Sequence, residues 1–279
     1  IASCLVGSEM CIRDRYLYME VTFDLISDLN IIHSLDWEGQ PESLICIVAG
    51  NVSEDRVVLT QTLEHLAGQY KHVFYVDGPK DHKWAMDNLP WSFIDIVNTT
   101  EPMKNVTYLH NQVCILDGKA IVPVNGWYSL DFNPNFDLEQ QYQWMKERGY
   151  VNSMNDVMRL MSYAASDVRY LYKTIQKMQE MNNVKEVVIV TATVPGVGFV
   201  EHDTSLQDTP MMNLMGNSQL LSCLEADVKN KVSTWMFGTY PHPTDQIKNN
   251  IRFVSNPRGI PEDFSNSGIY HPKRIQVQP

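Results

Sequence analysis

Several things are scarce in this sequence, and each scarcity excludes a class of protein. Positive charge is in deficit: 22 Lys and Arg stand against 33 Asp and Glu, a net charge of -11 and a pI near 5.1. A broad basic face for nucleic acid is therefore not expected. Long apolar runs are missing, the longest being stretches such as LICIVA at 44–49, far short of a bilayer span. No cysteines form a CxxC pair, so neither a zinc knuckle nor a disulfide framework is indicated. Gly-Val-Gly at 196–198 lacks the rest of a dinucleotide fingerprint. There is no internal repeat and no low-complexity linker. What is present is 44% hydrophobic and 20% charged residues over 279 positions, the composition of a globular chain with room for a sizeable core.

The first residues stand apart. LVGSEMCIRD, within 4–15, has neither helical nor strand periodicity and no signal-peptide core. It back-translates onto a transposon-end sequencing adapter, so residues 1–15 are expected to be a non-native tail, with the true start between Tyr16 and Met19. Cys4 and Cys11 then drop out. Cys46, Cys114 and Cys223 remain, isolated from one another, as expected of buried thiols in the cytoplasm.

From there, apolar runs bounded by Gly, Asp or Asn predict strands at 21–27, 43–50, 72–78, 186–192 and 234–238. Helical spacing marks 54–70, 153–181 and 211–230. Asp117-Gly118, between alternating apolar residues, predicts a hairpin over 113–124. Residues 251–255 and 274–278 add further strands, and 129–152 reads as an insertion with a short helix. Alternating strands and helices with a hairpin give an α/β layered fold with mixed sheets, in one domain over 16–279. Tyr163, Tyr170, Tyr172 and the methionines of the long helix are assigned to packing rather than to ligand stacking.

Ligands of α/β sheets collect beyond the carboxyl ends of strands. Those ends carry Asp28 and Asn30; Gly50, Asn51 and Asp55; Gly78 through His82; Thr191 through Pro195; and Gly238 through His242. Their order and setting resemble the calcineurin-like metallophosphoesterase family over nearly the whole native chain. SDLN (27–30) stands where SDLH is expected, VAGNVSED (48–55) where LAGDISxD is, and YKHVFYVDGPKDH (70–82) where YKxVFYVxGNHDH is. VIVTATVP (188–195) and FGTYPHPTD (237–245) occupy the places of VVxTHHxP and FGHTHxxxD, and VSNPRGIP (254–261) matches the SNPRG tail of bacterial and phage members.

The resemblance implies an αββα sandwich and, in the family, two divalent cations held by Asp and His. The departures fall on those ligands. Only Asp28 is kept. Asn30 replaces a His, Asn51 the bridging Asp, Pro79 the Asn, Lys80 the catalytic His, and Ala192, Thr239 and Pro241 three more His. A two-metal centre needs anionic and imidazole ligands at fixed distances. One carboxylate and two amides are a poor substitute. The expected reading is a pseudoenzyme without a cofactor, acting as a binding or scaffold protein for a protein partner or a phosphate-containing small molecule. The alternative is an active phosphoesterase with a rebuilt site, using manganese, iron or zinc on Asp28, Asn30, Asn51 and His242, with Asp81 nearby. Lys80 is expected to pair with Asp28 in place of the lost metal. Four further expectations concern neighbouring loops: His242 and Asp245 as a shifted ligand pair, Asp81 and His82 as structural, Asp55 at its helix start, and His202-Asp203 as a dyad without a marked nucleophile.

Overall fold

The computed structural model describes residues 21–32, 40–259 and 270–276, apart from the side chains of 84–87. The adapter-like stretch lies outside the described residues.

The short apolar runs form two sheets. In the first, β1 (Thr22–Ile26), β2 (Ile45–Ala49), β3 (His72–Val76) and β4 (Val106–Tyr108) run parallel, and β11 (Lys273–Gln276) closes one edge antiparallel to β1. In the second, β6 (Lys119–Val124), β7 (Glu186–Thr191), β8 (Val232–Phe237) and β10 (Ile251–Ser255) run parallel. β5 (Cys114–Leu116) and β9 (Thr244–Lys248) are its antiparallel edges. The central strands are apolar at nearly every position because both of their faces are covered.

Alternation divides each strand between two cores. From β2, Ile45, Ile47 and Ala49 face the space between the sheets, where they meet Val188, Val190 and Met236 of the second sheet. Cys46 and Val48 face the other way, toward Leu59, Leu63 and Leu66. Those leucines belong to α1 (Arg56–Gln69), whose N-cap is Asp55; its carboxylate accepts from the Val57 and Val58 amides. α2 (Leu89–Thr100) joins the same layer through Ile96. On the far side, α4 (Met154–Glu180) lays Leu171, Ile175 and Met178 against Val122, Val187 and Trp235. The result is four layers, helix–sheet–sheet–helix, as expected.

The hairpin is present at β5–β6, with Asp117 at φ 46° and Gly118 at φ 77°, the left-handed pair a type I′ turn requires. The 129–152 segment carries α3 (Leu138–Glu147), started by an Asp137–Gln140 capping box. It packs Met145 with Trp127, Leu160 and Ala164. One expected helix differs. Residues 211–230 are two 3-10 segments, Pro210–Leu214 and Leu220–Ala226. Between them Gly216 pairs with Val194 so closely that a Cβ on it would lie 2.0 Å from the Val194 carbonyl oxygen. That backbone contact interrupts the helical ladder where side-chain spacing alone favours continuing it.

Candidate functional site

The loops after β1, β2, β3, β7 and β8 meet at one end of the sandwich. The first two are stitched by backbone bonds from Asp28 N to Gly50 O and from Asn30 N to Asn51 O. Asp28, Asn30, Asn51 and Thr239 all have left-handed backbones, with φ of 49°, 47°, 55° and 74°. Asp and Asn tolerate this region, but a β-branched Thr rarely does, so Thr239 is held there by its surroundings. Two glycines let the loops approach. A Cβ on Gly50 would sit 2.2 Å from Ala192 Cβ, and one on Gly238 would sit 2.7 Å from Asp28 Oδ2.

Asp28 is buried, at 3% exposure. Its Oδ1 accepts from Asn51 Nδ2 at 2.9 Å and its Oδ2 from the Thr239 amide at 2.6 Å. Asn51 Nδ2 also donates to Thr239 Oγ1 at 2.9 Å, and that hydroxyl donates in turn to the Ala192 carbonyl at 2.7 Å. Asn51 Oδ1 accepts from the Lys80 amide at 3.2 Å. Burial pushes the Asp28 carboxyl up to about 6; the Asn51 bond, the Lys80 charge and the Thr239 amide pull the other way.

The sequence predicts Lys80 paired with Asp28, but the ammonium bonds a different side chain. Lys80 Nζ donates to Asn30 Oδ1 at 2.9 Å, and Asn30 Nδ2 donates to the carbonyls of Asp28 at 2.9 Å and Gly259 at 3.0 Å. Lys80 therefore acts on the carboxylate through space, while its own hydrogen bond goes to Asn30. The SNPRG segment adjoins the same loop, with Arg258 N donating to Ser27 O.

Asp81 is a structural anion. Its carboxylate accepts from the backbone amides of Asn51, Val52, Ser53 and Gly78 and from the Tyr75 hydroxyl, at 2.7–3.1 Å. With every lone pair engaged by protein donors, it fastens the 78–82 loop to the 51–53 loop. Burial nevertheless raises its carboxyl above the ordinary value, against the Gly78, Tyr75 and Ser53 bonds. His82 is buried beside it, between Asp77 and Ser92.

The remaining candidates are not gathered here. Ala192 contributes only its carbonyl, and Pro241 is half-buried without a side-chain donor. His242 is 68% exposed and lies 3.9 Å from Asp203 in an open groove of roughly 590 Å³, which Phe199, His202, Tyr240 and Gln246 also line. Asp203 caps the short Thr204–Gln207 helix through the Ser205 amide and accepts from Tyr240. Asp245 is taken by two bonds from Arg252 and one contact from Lys273, each 2.9 Å, and its carboxyl is held at about 2 chiefly by Arg252. The shifted His242–Asp245 pair is therefore not assembled as a ligand set. Among the described residues, none lining this groove bonds to Asp28, Asn30, Asn51 or Lys80.

A dinuclear metal centre does not fit these side chains. Asn51, at the bridging position, turns its donor nitrogen toward Asp28 and gives its oxygen to a backbone amide. Among the described residues no three His, Cys, Asp or Glu side chains are placed to hold a metal ion. Sequence reasoning missed the Asp77–His82–Ser92 cluster, the strain at Thr239 and the role of Asn125, which donates to both the Asp77 carbonyl and its carboxylate at 2.8 Å. The only sequence signal was that Asp77 and Asn125 each follow a strand.

No family model and no curated protein matches the chain. Its backbone is similar to the crystal structure of phosphopantetheinyl hydrolase from Mycobacterium tuberculosis, at 18% identity and a TM-score of 0.69, over 93% of this chain and 97% of that one. The chain has a metallophosphoesterase-type fold. A candidate 5′-nucleotidase of Staphylococcus aureus aligns at 10% identity and a TM-score of 0.48, over 94% of this chain and 55% of that one. GAP50, the anchor in the inner membrane complex of Plasmodium, aligns at 10% and 0.47, over 86% and 72%. In this metallophosphoesterase-type fold the Asp28 network lies at one set of strand ends. Among the described residues no helix is long and apolar enough to cross a membrane.

Proposed function

We propose that this protein is a non-catalytic relative of the metal-dependent phosphoesterases, a binding or scaffold protein in which hydrogen bonds replace the metal centre. The observation that carries the reading is the orientation of Asn51. A bridging ligand presents oxygen to two cations; Asn51 presents Nδ2 to Asp28 and Thr239, which closes the circuit without an ion. Lys80 supplies a fixed cation nearby at the family's catalytic histidine position, where it has no basic nitrogen to offer while protonated. A reducing, cytoplasmic setting is supported by the buried thiols of Cys46 and Cys223.

The test is metal content and turnover together. The full chain is purified, dialysed against manganese and then against buffer, analysed for bound metal, and assayed on a generic aryl phosphodiester. The expected result is metal well below one ion per chain, and no turnover that Asp28→Ala removes. Near-stoichiometric metal with turnover lost in Asp28→Ala would overturn the reading in favour of a rebuilt phosphoesterase.

A further inference from the structure

β9 is the outer strand of the second sheet. It pairs with β10 alone, in a register that runs from Lys248↔Ile251 to Thr244↔Ser255. Asn249 and Asn250, with φ of 51° and 64°, close a two-residue type I′ hairpin between them. In such a hairpin the residues flanking the turn exchange both backbone hydrogen bonds, and bonded and unbonded pairs alternate from there. Lys248 and Gln246 therefore turn their backbones to β10, while Ile247 and Asp245 turn theirs outward. Among the described residues no backbone group meets those outward amides and carbonyls.

Open edges are usually blocked by charged side chains. Here both charges of β9 are folded back onto the protein. Asp245 is held by Arg252 and Lys273, and the Lys248 ammonium lies over the Phe199 ring at 4.4 Å. What the edge presents instead is Ile247, 74% exposed. Along one face of the same edge runs the groove that Thr244 and Gln246 line with Phe199, Asp203 and Tyr240.

We propose that β9 and this groove receive an extended, basic segment of a partner protein, added as a further strand to the second sheet. Backbone bonds to Asp245 and Ile247 would hold the segment, and its alternate side chains would be read by the groove. A residue opposite Ile247 shares its face and covers it, so an apolar side chain belongs there. The neighbour opposite Gln246 points into the groove. The wall that carries Phe199 and Asp203, residues 199–208, also holds Glu201 and Asp208 and has no lysine or arginine. Bonds from Ser205 keep the Asp203 carboxyl below the ordinary range, so it is ionised at neutral pH. Lysine or arginine therefore suits the groove positions. The chain's net charge of -11 favours a basic partner and opposes a second copy of itself. The site is separate from the Asp28 network and does not depend on whether that network binds metal.

The test uses the full chain and a fluorescent synthetic peptide in which valine alternates with lysine, read by anisotropy. In the proposed register the valine amides face β9 and the lysine amides face away. Methylating the valine nitrogens should weaken binding by about tenfold or more, and methylating the lysine nitrogens should leave it nearly unchanged. Ile247→Pro removes an outward N–H that β10 does not use and should also cost about tenfold. Asp203→Asn should cost roughly threefold. A peptide with glutamate in place of lysine should not bind. Absence of binding by the valine–lysine peptide would overturn the proposal. So would equal losses from the two methylated peptides, wild-type affinity in Ile247→Pro, or equal binding of the glutamate peptide. A chain that sediments as a dimer, and as a monomer in Ile247→Pro, would overturn it in favour of a second copy on this edge. The methylation contrast is read on the wild-type chain, so it decides the matter even where a variant does not fold.

Discussion

Asp28 and Asp77 are two buried carboxylates at the ends of two strands of one sheet, and their environments push them in opposite directions. Asp77 has the His82 ring 2.6 Å away, and its carboxyl is held below the ordinary value. Among the described residues no ion pair to Asp28 is formed. Lys80 is turned to Asn30, and burial carries Asp28 up to about 6. Burial is shared, so the difference lies in where the positive charge stands. A charge in contact offsets desolvation; one bonded to another side chain and acting only through space offsets part of it. The structural pair is therefore tight, and the pair in the candidate site is loose.

That contrast can be broken from either side. The largest effect is expected from Asp77→Ala, which leaves the His82 ring buried without its carboxylate. Such a loss costs about 3–5 kcal/mol, to be read as a shift in the denaturant midpoint. Next comes the pH dependence of Asp28. Its folded value is raised, so between about pH 4 and 6 the folded chain holds a proton that the unfolded chain has released. Stability should fall by roughly 3 kcal/mol as pH rises through that window and then level off. Asp167, raised to about 7 by burial, slopes the same way, so the difference between wild type and Asp28→Asn isolates the Asp28 share. Equal pH profiles for the two chains would remove the contrast.

Gly50→Ala should rank third. The added methyl strikes Ala192 and is placed on a left-handed backbone, which should cost about 1–3 kcal/mol in thermal unfolding. Lys80→Ala should cost the least, below about 1 kcal/mol, because the ammonium is half-exposed and bonds a single amide oxygen. Its mark should instead be a further upward shift in the Asp28 titration, visible by carboxyl carbon NMR. A large stability loss there would mean that Lys80 is as tightly paired as His82.

Much of this arrangement was legible before any coordinates. The parallel strands read as apolar runs because burial on both faces leaves no room for a polar side. The type I′ turn read as Asp117-Gly118 because few residues take two left-handed positions in succession. Asp55 read as a helix start and Asp81 as structural. Other features were opaque for equally physical reasons. β4 is a three-residue strand and β9 a largely exposed edge strand, both defined by the neighbour they pair with, not by their own composition. The 211–230 segment has helical spacing, but Gly216 is claimed by Val194 across the fold. Asn51 read as a lost ligand, yet which end of its amide faces Asp28 depends on the Lys80 and Thr239 groups that meet it from two other loops.

The sequence by itself determined an α/β fold with mixed sheets, the order of the main buried strands along the chain and the set of residues at their carboxyl ends, because alternation, run length and turn chemistry are local properties; the four-layer sandwich was implied only by the family resemblance. Tertiary structure alone decided the pairings. Whether Lys80 bonds Asp28 or Asn30, whether His242 joins the Asp28 network or a separate groove, and which residues enclose His82 all turn on differences of a few ångströms between loops distant in sequence. At that range hydrogen bonds and desolvation change steeply with distance, and nothing in the order of the residues records it.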